Sequence, residues 1–271
     1  MSTVREPGLA PLLAAWRALA QQGLVKLHEI SVGDPSRLLV YAEVNPQAQQ
    51  KVLIAAGVHG DEPVAPWSLY SIVRDGLLDP QYGYCLWVCT NPSGYELGTR
   101  HNCDGFDINR SYTEIGLTPE AQAIVATTRG QHYLLAIDLH EDFESEGFYL
   151  YEPCVRAQTP YGRRILDEVL EAGFALQALE ASFDLGYPPD EIAALCTFEA
   201  GWVKPDYERE SRYFSAGLPM TMYLLQHTAR RSLTFETPLC ATWDERLAMH
   251  RIAVVAALAQ IARVEGLAEH G

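Results

Sequence analysis

Short runs of apolar residues alternate along the chain with longer segments of helical periodicity, and this alternation is the strongest constraint on the fold. The runs are LLVYAEV (38–44), KVLIAA (51–56), YCLWVCT (84–90), LLAIDL (134–139), FYLYE (148–152) and SLTFET (232–237). Most of them are nearly continuous in apolar residues, which is typical of strands covered on both faces. The predicted helices between them span about 9–22, 64–77, 119–130, 160–173, 218–228 and 243–265. Strands that alternate with helices predict an α/β fold, with helices on both faces of a central sheet.

The chain shows no boundary between domains. Its 271 residues, 48% of them hydrophobic, are enough to bury a sizeable core. No linker rich in Pro, Gly or Ser, no low-complexity block and no fixed-period repeat interrupts the sequence. We therefore predict a single domain over residues 1–271, with the helix at about 9–22 as an N-terminal extension.

Composition limits the partners and the cellular location. The net charge of −15 argues against nucleic acid, because binding to phosphates needs clustered Lys and Arg. The N-terminus lacks a basic region and Arg17 interrupts its apolar stretch, so it predicts an amphipathic helix and no signal peptide. No run of 18 apolar residues occurs, which predicts no membrane span. The six cysteines form no Cys-x-x-Cys pair, a pattern typical of free thiols, and we expect a cytoplasmic protein.

The stretch AGVHGDEP (56–63) lies at the end of a predicted strand, where ligands usually bind in α/β sheets. Gly57 and Gly60 give its backbone freedom. His59 and Glu62 are three residues apart, so a loop that enters a helix can direct both side chains at one metal ion. Taken alone, the pattern also fits a Glu that caps the start of the helix.

A second group of polar residues, NPSGYELGTRHNCDGFDINRSY (91–112), begins where another predicted strand ends. It contains Arg100 and Arg110, with Asn109 beside the latter. Because arginine holds carboxylates by a planar two-point contact, the Asn-Arg pair suits an anionic substrate group. A long loop held by salt bridges is the alternative interpretation.

Two further candidates follow or lie in predicted strands. His140 comes directly after the run 134–139 and supplies a possible third metal ligand, although a lone His at a strand end is often structural. The acids after it (Glu141, Asp142, Glu144 and Glu146) favour a solvated turn, with a contribution to the specificity of the site as the alternative. Glu236 lies in the strand 232–237, where a carboxylate is costly to desolvate unless a charge or metal partners it. Together, three possible ligands, two arginines and a further carboxylate match a metal-assisted hydrolase.

Four motifs, in the order GVHGDEP, NPSGYELGTRHNCDGFDINR, DLHED and TFETP, resemble the zinc metallocarboxypeptidase superfamily, whose type members are carboxypeptidases A and B. The resemblance covers roughly residues 52–238, and the second motif is its most specific part. It implies a carboxypeptidase-like fold with a mixed, largely parallel central sheet. It also implies a long helix after the strand that carries Glu236.

The resemblance also implies the catalytic roles. His59, Glu62 and His140 would bind one Zn²⁺ ion, and Glu236 would be the general base and later the proton donor. Asp107 would orient His59 through the second nitrogen of its ring. The expected enzyme is a metallocarboxypeptidase that hydrolyses the C-terminal amino acid from peptides.

Substrate contacts follow from the same resemblance. Arg100 would stabilise the oxyanion that develops on the scissile carbonyl, while Asn109 and Arg110 would hold the free C-terminal carboxylate. A mobile tyrosine caps the substrate in this superfamily, and Tyr213 is the predicted equivalent, with Tyr207 and Tyr223 as alternatives. The floor of the specificity pocket is expected around 218–223, a segment without an acid to pair with a basic side chain.

Other functions remain open at this stage. The desuccinylase/aspartoacylase branch, which cleaves N-acyl amino acids, usually has Ala at the position of Gly94. That branch also carries a β-rich C-terminal domain, for which only about 33 residues follow Pro238. A cytoplasmic muropeptide amidase is a further alternative. An inactive peptide-binding module is an alternative of another class, although every expected catalytic residue is present.

Overall fold

The computed structural model describes residues 8–34, 37–155, 158–179, 195–214 and 217–268. Its strands are β1 (Lys26–Val32), β2 (Arg37–Val44), β3 (Lys51–Ala56), β4 (Gly83–Trp87), β5 (Leu135–Asp142), β6 (Tyr149–Tyr151), β7 (Cys196–Glu199), β8 (Trp202–Pro205) and β9 (Ser232–Pro238). Its helices are α1 (Leu9–Gln21), α2 (Val64–Arg74), α3 (Pro92–Leu97), α4 (Pro119–Thr128), α5 (Gly162–Glu171), α6 (Tyr207–Tyr213), α7 (Met220–His227) and α8 (Trp243–Ala268), with a short 3₁₀ helix at Ile108–Arg110.

All of these strands join one mixed sheet in the order β1-β2-β4-β3-β5-β9-β6-β8-β7. The four central strands β4, β3, β5 and β9 are parallel to one another. Antiparallel neighbours flank them, with β2 beside β4 and β6 beside β9. The predicted α/β class, with a mixed sheet whose central strands are parallel, is confirmed.

The period of two along a strand explains why both faces of the sheet are covered. Val52 and Ile54 of β3 pack in a core layer with α1, α2, α5 and α8, whereas Leu53 and Ala55 pack in a second layer with α4 and α7. Each of these four side chains is fully buried. A strand in this position must be apolar on both faces, and the continuous runs in the sequence reflect that requirement.

The sequence analysis did not predict β1, β7 and β8, because their sequences lack the continuous apolar run of a buried strand. β1 lies at the edge of the sheet and is largely exposed or half-buried, so polar residues interrupt its apolar ones. β7 and β8 form a hairpin of four residues each, which is too short to show a periodicity.

The parallel strands β3, β5 and β9 bring the predicted site residues to one edge of the sheet. His59 follows the carboxyl end of β3, whose Ala56 pairs in register with Leu139 of β5. The next residue of β5, His140, pairs in register with Glu236 of β9. Segments that are distant in sequence therefore meet where ligands usually bind in α/β sheets.

One helix among the described residues, Trp243–Val264 within α8, is long and apolar enough to cross a membrane by length and composition. Half of its most apolar part is buried, and α8 packs against α2 and α5. Core helices of soluble proteins have the same length and composition, so these two properties do not by themselves indicate a membrane span. The absence of a membrane span remains a prediction.

A buried ion-pair cluster attaches the 91–112 segment to the rest of the fold. The Arg37 guanidinium lies 2.7 Å from Glu120 Oε1 and 2.9 Å from Asp104 Oδ2. Asn102 donates a hydrogen bond to the second oxygen of Glu120 at 3.3 Å. The Arg37 side chain is 6% exposed and that of Glu120 is fully buried, so each charge depends on the other for compensation.

We predict that Arg37→Met lowers the free energy of unfolding by about 3–5 kcal/mol, because it leaves the buried Glu120 carboxylate without its partner. Urea unfolding followed by circular dichroism measures the change. The matched control is Arg17→Met, which breaks an exposed pair with Glu29 and should cost less than about 1 kcal/mol. Equal losses in the two variants would contradict the prediction.

Candidate metal centre and catalytic cavity

The three predicted metal ligands, His59, Glu62 and His140, lie together in the structure, and we call these three side chains the metal cluster. His59 is in the turn after β3, Glu62 lies two residues before the start of α2, and His140 is in β5. Their ligand atoms all lie within 4.8 Å of one another. The three side chains are almost fully buried, at 3%, 5% and 2% exposure.

The contacts of this cluster orient both imidazoles in the same way. Glu62 contacts Nδ1 of His59 through one oxygen, and its other oxygen lies 3.0 Å from Nδ1 of His140. The Nε2 atoms point outward to carboxylates: that of His59 lies 3.5 Å from Asp107, and that of His140 lies 2.9 Å from Asp138. A proton held on each Nε2 leaves the Nδ1 lone pairs free for a metal ion, as is usual when a carboxylate contacts a metal-binding histidine. The residues present therefore fit a bound cation.

Backbone contacts explain the shape of the turn that carries His59. Gly57 has φ +68°, a conformation that favours glycine. Gly60 approaches the backbone of Gly94 so closely that a Cβ at position 60 would lie 1.9 Å from the Gly94 carbonyl carbon. The amide of Gly60 also donates to the Thr99 carbonyl at 3.0 Å. The absence of a side chain at Gly60 thus allows this turn to pack closely against the 91–112 segment.

Asp138 was missed in the sequence analysis, although a signal was present. It is 1% exposed and lies two residues before His140 on the same strand, so both side chains share one face of the sheet. An acid within an apolar strand, spaced by two from a candidate ligand, could have identified it. Asp138 contacts Nε2 of His140, as Asp107 contacts Nε2 of His59.

The surrounding charges perturb the pKa values of the cluster. Burial by itself would raise the pKa of Glu62, but the His59 and His140 imidazoles outweigh burial and hold it well below its usual range. Burial would lower the pKa of His140, but Glu62, Asp138 and Glu236 raise it well above its usual value. Surroundings that favour a proton on His140 also favour a metal cation in its place.

Glu236 lies beside this cluster in the sheet. Its register partners are His140 on β5 and Tyr149 on β6, and it lines the same cavity. Burial raises the pKa of Glu236 well above its usual value, a shift that nearby Glu62 reinforces and His140 partly opposes. A carboxylate with a raised pKa is suited to exchange protons near neutral pH.

The 91–112 segment brings its predicted residues to the cavity. Arg100 Nη1 lies 3.3 Å from His59 Nδ1, and its Nη2 donates to Asp107 at 2.9 Å. Asn109 is 8% exposed, and its Oδ1 accepts a hydrogen bond from the backbone of Met220 at 2.9 Å. Arg110 lines the cavity beside it.

The structure does not bring Tyr213 to the site with the other predicted residues. Tyr213 ends α6, is 36% exposed and does not line the cavity. Its ring packs edge-on against Phe214, with centroids 4.9 Å apart. Phe214 does line the cavity, and the Arg110 guanidinium lies 4.8 Å from its ring centroid.

The cavity has a volume of about 390 Å³. Its lining includes the metal cluster and Glu236, together with Asp61, Arg100, Asn109, Arg110, Glu141, Asp142, Phe143, Glu144, Tyr149, Tyr151, Pro153, Pro205, Phe214, Pro219, Thr221, Met222, Thr234 and Leu239. Thr221 and Met222 come from the segment expected to form the pocket floor. The acids Asp142 and Glu144, for which the sequence favoured a solvated turn over a role in specificity, also line the cavity.

Residues of α8 contact the segments that carry the metal ligands. Glu141 is buried rather than part of a solvated turn, so that interpretation was wrong for this residue. It contacts Arg246 and accepts a hydrogen bond from the Val64 amide at 2.6 Å, while burial raises its pKa to about 7 against the opposing effect of Arg246. His250 lies 2.9 Å from the His140 carbonyl oxygen and 3.0 Å from Ser68 Oγ. These contacts connect α8 to β5, which carries His140, and to α2, which follows Glu62.

A comparison with protein families identifies the relatives of this arrangement. The family model of the succinylglutamate desuccinylase/aspartoacylase catalytic domain matches residues 48–262. This range contains every predicted site residue. Gly94 and the short segment after Pro238 therefore do not exclude the chain from this branch.

A curated relative gives a shorter match. Murein peptide amidase A of Escherichia coli is 32% identical over 74 residues. The alignment covers 27% of this chain and 30% of that protein. It therefore spans less than a third of the relative's length.

Solved structures share the fold over most of the chain. A protein of Shewanella amazonensis, provisionally described as a metallopeptidase, superposes with a TM-score of 0.72 at 16% identity, covering 94% of this chain and 93% of that one. A metallo-carboxypeptidase of Burkholderia cenocepacia has a TM-score of 0.65 at 16% identity, covering 94% and 69%. Bovine thrombin-activatable fibrinolysis inhibitor, in complex with tick carboxypeptidase inhibitor, has a TM-score of 0.68 at 13% identity, covering 96% and 98%. At such identities the likeness establishes the fold alone.

We predict that Asp138→Asn weakens the binding of Zn²⁺ by about 10- to 100-fold, because the amide no longer fixes the tautomer and orientation of His140. Competition with a chromophoric chelator measures the dissociation constant. Asp34→Asn serves as the control, since Asp34 is exposed and does not line the cavity. An unchanged affinity in Asp138→Asn would show that the contact does not support metal binding.

Proposed function

Since the chain belongs to the succinylglutamate desuccinylase/aspartoacylase catalytic-domain family, we propose that it is a zinc-dependent metallocarboxypeptidase that hydrolyses the last amide bond of short peptides. The observation that carries this proposal is the composition of one cavity. The cavity unites a three-ligand metal cluster, the Glu236 carboxylate and two arginines. These elements are suited to the hydrolysis of an amide next to a free carboxylate.

Binding of the substrate carboxylate is assigned to Arg110 and Asn109. Arg110 forms no ion pair with an acid among the residues that the structure describes, and its Nη1 donates only to the Asn109 carbonyl at 2.8 Å. Its remaining N–H groups are suited to a two-point contact with a carboxylate. The Met220 amide occupies Oδ1 of Asn109, so the Asn109 side-chain NH₂ is left as a donor for the same anion.

Proton transfer is assigned to Glu236. Its position beside His140 places a carboxylate next to the metal cluster, and its raised pKa favours uptake of a proton from the attacking water. The same group would then donate that proton to the departing amine. His59, Glu62 and His140 would hold the ion, and Zn²⁺ would supply Lewis acidity that polarises the scissile carbonyl and acidifies water.

Charge stabilisation is assigned to Arg100. Its guanidinium lies against His59 and is held by the ion pair with Asp107, so its position is fixed before substrate binds. A cation fixed beside the metal cluster would stabilise the negative charge that develops on the carbonyl oxygen. Its side chain is 42% exposed, which leaves it accessible from the cavity.

Two other substrate classes have specific support. The family match favours N-acyl amino acids, and the short alignment with murein peptide amidase A favours a murein peptide. All three classes share an amide bond near a free carboxylate. The cytoplasmic location remains part of the proposal.

We predict that the zinc-loaded protein hydrolyses dipeptides with a free C-terminal carboxylate at least about tenfold faster than the same peptides amidated at the C-terminus, because Arg110 loses its charged partner. A screen of C-terminally varied dipeptides, N-acyl amino acids and muropeptides, followed by release of amino acid, measures the preference. Turnover confined to N-acyl amino acids would instead support a desuccinylase-like activity. Cleavage of muropeptides regardless of the C-terminal group would support an amidase.

We predict that Glu236→Gln lowers kcat by about 10²- to 10⁴-fold while the affinity for Zn²⁺ is retained, because glutamine cannot accept the proton. Steady-state kinetics and metal titration of the same preparation measure the two effects. Glu146→Gln is the control, since Glu146 is an exposed acid of a nearby segment that does not line the cavity. Undiminished turnover in Glu236→Gln would refute the assignment of the base, and absence of turnover in every substrate arm would favour a binding module.

A further inference from the structure

The Asp142 carboxylate lines the cavity and has no role in the proposed hydrolysis. Asp142 is the last residue of β5, two residues after His140, and therefore lies on the same face of the strand. It is half-buried and lines the cavity. The strand that supplies a metal ligand thus also supplies an anion to the substrate space.

The Asp142 carboxylate is held by neutral donors. Its Oδ2 accepts a hydrogen bond from the Tyr149 hydroxyl at 2.8 Å, and its Oδ1 accepts one from the Glu144 amide at 2.9 Å. Asp142 forms no ion pair with any cation in the described part of the chain, whereas the adjacent Glu141 is paired with Arg246. A carboxylate offers about four acceptor positions, so two anchoring bonds leave capacity for a ligand.

Opposite charges adjoin different members of the metal cluster. Arg100 contacts His59, and Arg110 lines the cavity on the same 91–112 segment. Asp142 instead extends the strand of His140. A ligand in this cavity with its carboxylate at Arg110 can therefore present a cationic group to Asp142.

We propose that Asp142 is a specificity-determining residue that binds an ammonium group on the acyl side of the scissile amide. The preferred substrates are then zwitterionic peptides, with a free carboxylate on one side of the bond and an ammonium on the other. This inference rests on the proposed function and narrows its substrate class. The ammonium belongs to the amino terminus of a dipeptide or to a side chain, and N-acyl amino acids without an ammonium bind poorly.

Ligand binding to the zinc-loaded Glu236→Gln protein tests the inference without turnover. Isothermal titration compares three ligands: alanyl-alanine, N-acetyl-alanyl-alanine and N-acetyl-lysyl-alanine. We predict that the Glu236→Gln protein, the parent of the variants below, binds alanyl-alanine or N-acetyl-lysyl-alanine more tightly than N-acetyl-alanyl-alanine. The ligand that binds more tightly identifies the source of the ammonium as the amino terminus or the side chain. Asp142→Asn should weaken that ligand by about 10- to 100-fold and leave N-acetyl-alanyl-alanine unchanged, because a charge-assisted hydrogen bond is lost.

Two further variants complete the experiment. Tyr149→Phe removes one anchor of the carboxylate but keeps its charge, and should weaken the same ligand by a smaller factor. Glu146→Gln removes an exposed acid outside the cavity lining and should leave all three affinities unchanged. Equal parent affinities for ligands with and without ammonium, or an equal loss of both in Asp142→Asn, would overturn the inference. The kinetics of the wild-type protein report separately on the proposed hydrolysis, so the two failures are distinguishable.

Discussion

The buried carboxylate of Glu62 is the constraint on which the site depends. It lies between His59 and His140 with 5% exposure, and a charge in such a place is costly unless compensated. The neighbouring imidazoles supply that compensation. Each imidazole in turn depends on an aspartate at its other nitrogen. The cluster is therefore a continuous polar network, and it exists only because three segments of the fold hold it together.

Two parts of the fold surround the metal cluster. One supports the segments that carry the ligands, and the other supplies positive charges to the cavity. Behind it, Arg246 and His250 of α8 hold the end of β5 and the start of α2 through buried contacts. In front of it, the 91–112 segment supplies cations, and the Arg37 cluster attaches this segment to β2 and α4. A long C-terminal helix and a loop rich in polar residues thus both contact the segments that carry the metal cluster.

The positive and negative side chains that line the cavity bear on which substrate class the proposed enzyme would prefer. Peptides, N-acyl amino acids and murein peptides are the substrate classes considered for the proposed function, and all three contain an amide near a carboxylate. In that proposal Arg110 binds the shared carboxylate. The proposed role of Asp142 would distinguish among the classes, because a ligand without an ammonium group would leave this carboxylate unpaired.

Local patterns in the sequence determined the central strands, the α/β class and the residue types of the metal cluster, since buried strands must be continuously apolar and polar residues at their ends stand out. Only the tertiary structure decided which residues act together. The partnership of Asp138 with His140, the burial of Glu141 against Arg246 and the place of Phe214 rather than Tyr213 in the cavity depend on contacts between distant segments. No local pattern encodes such contacts, because register between parallel strands and the packing of α8 arise only when the whole sheet is assembled.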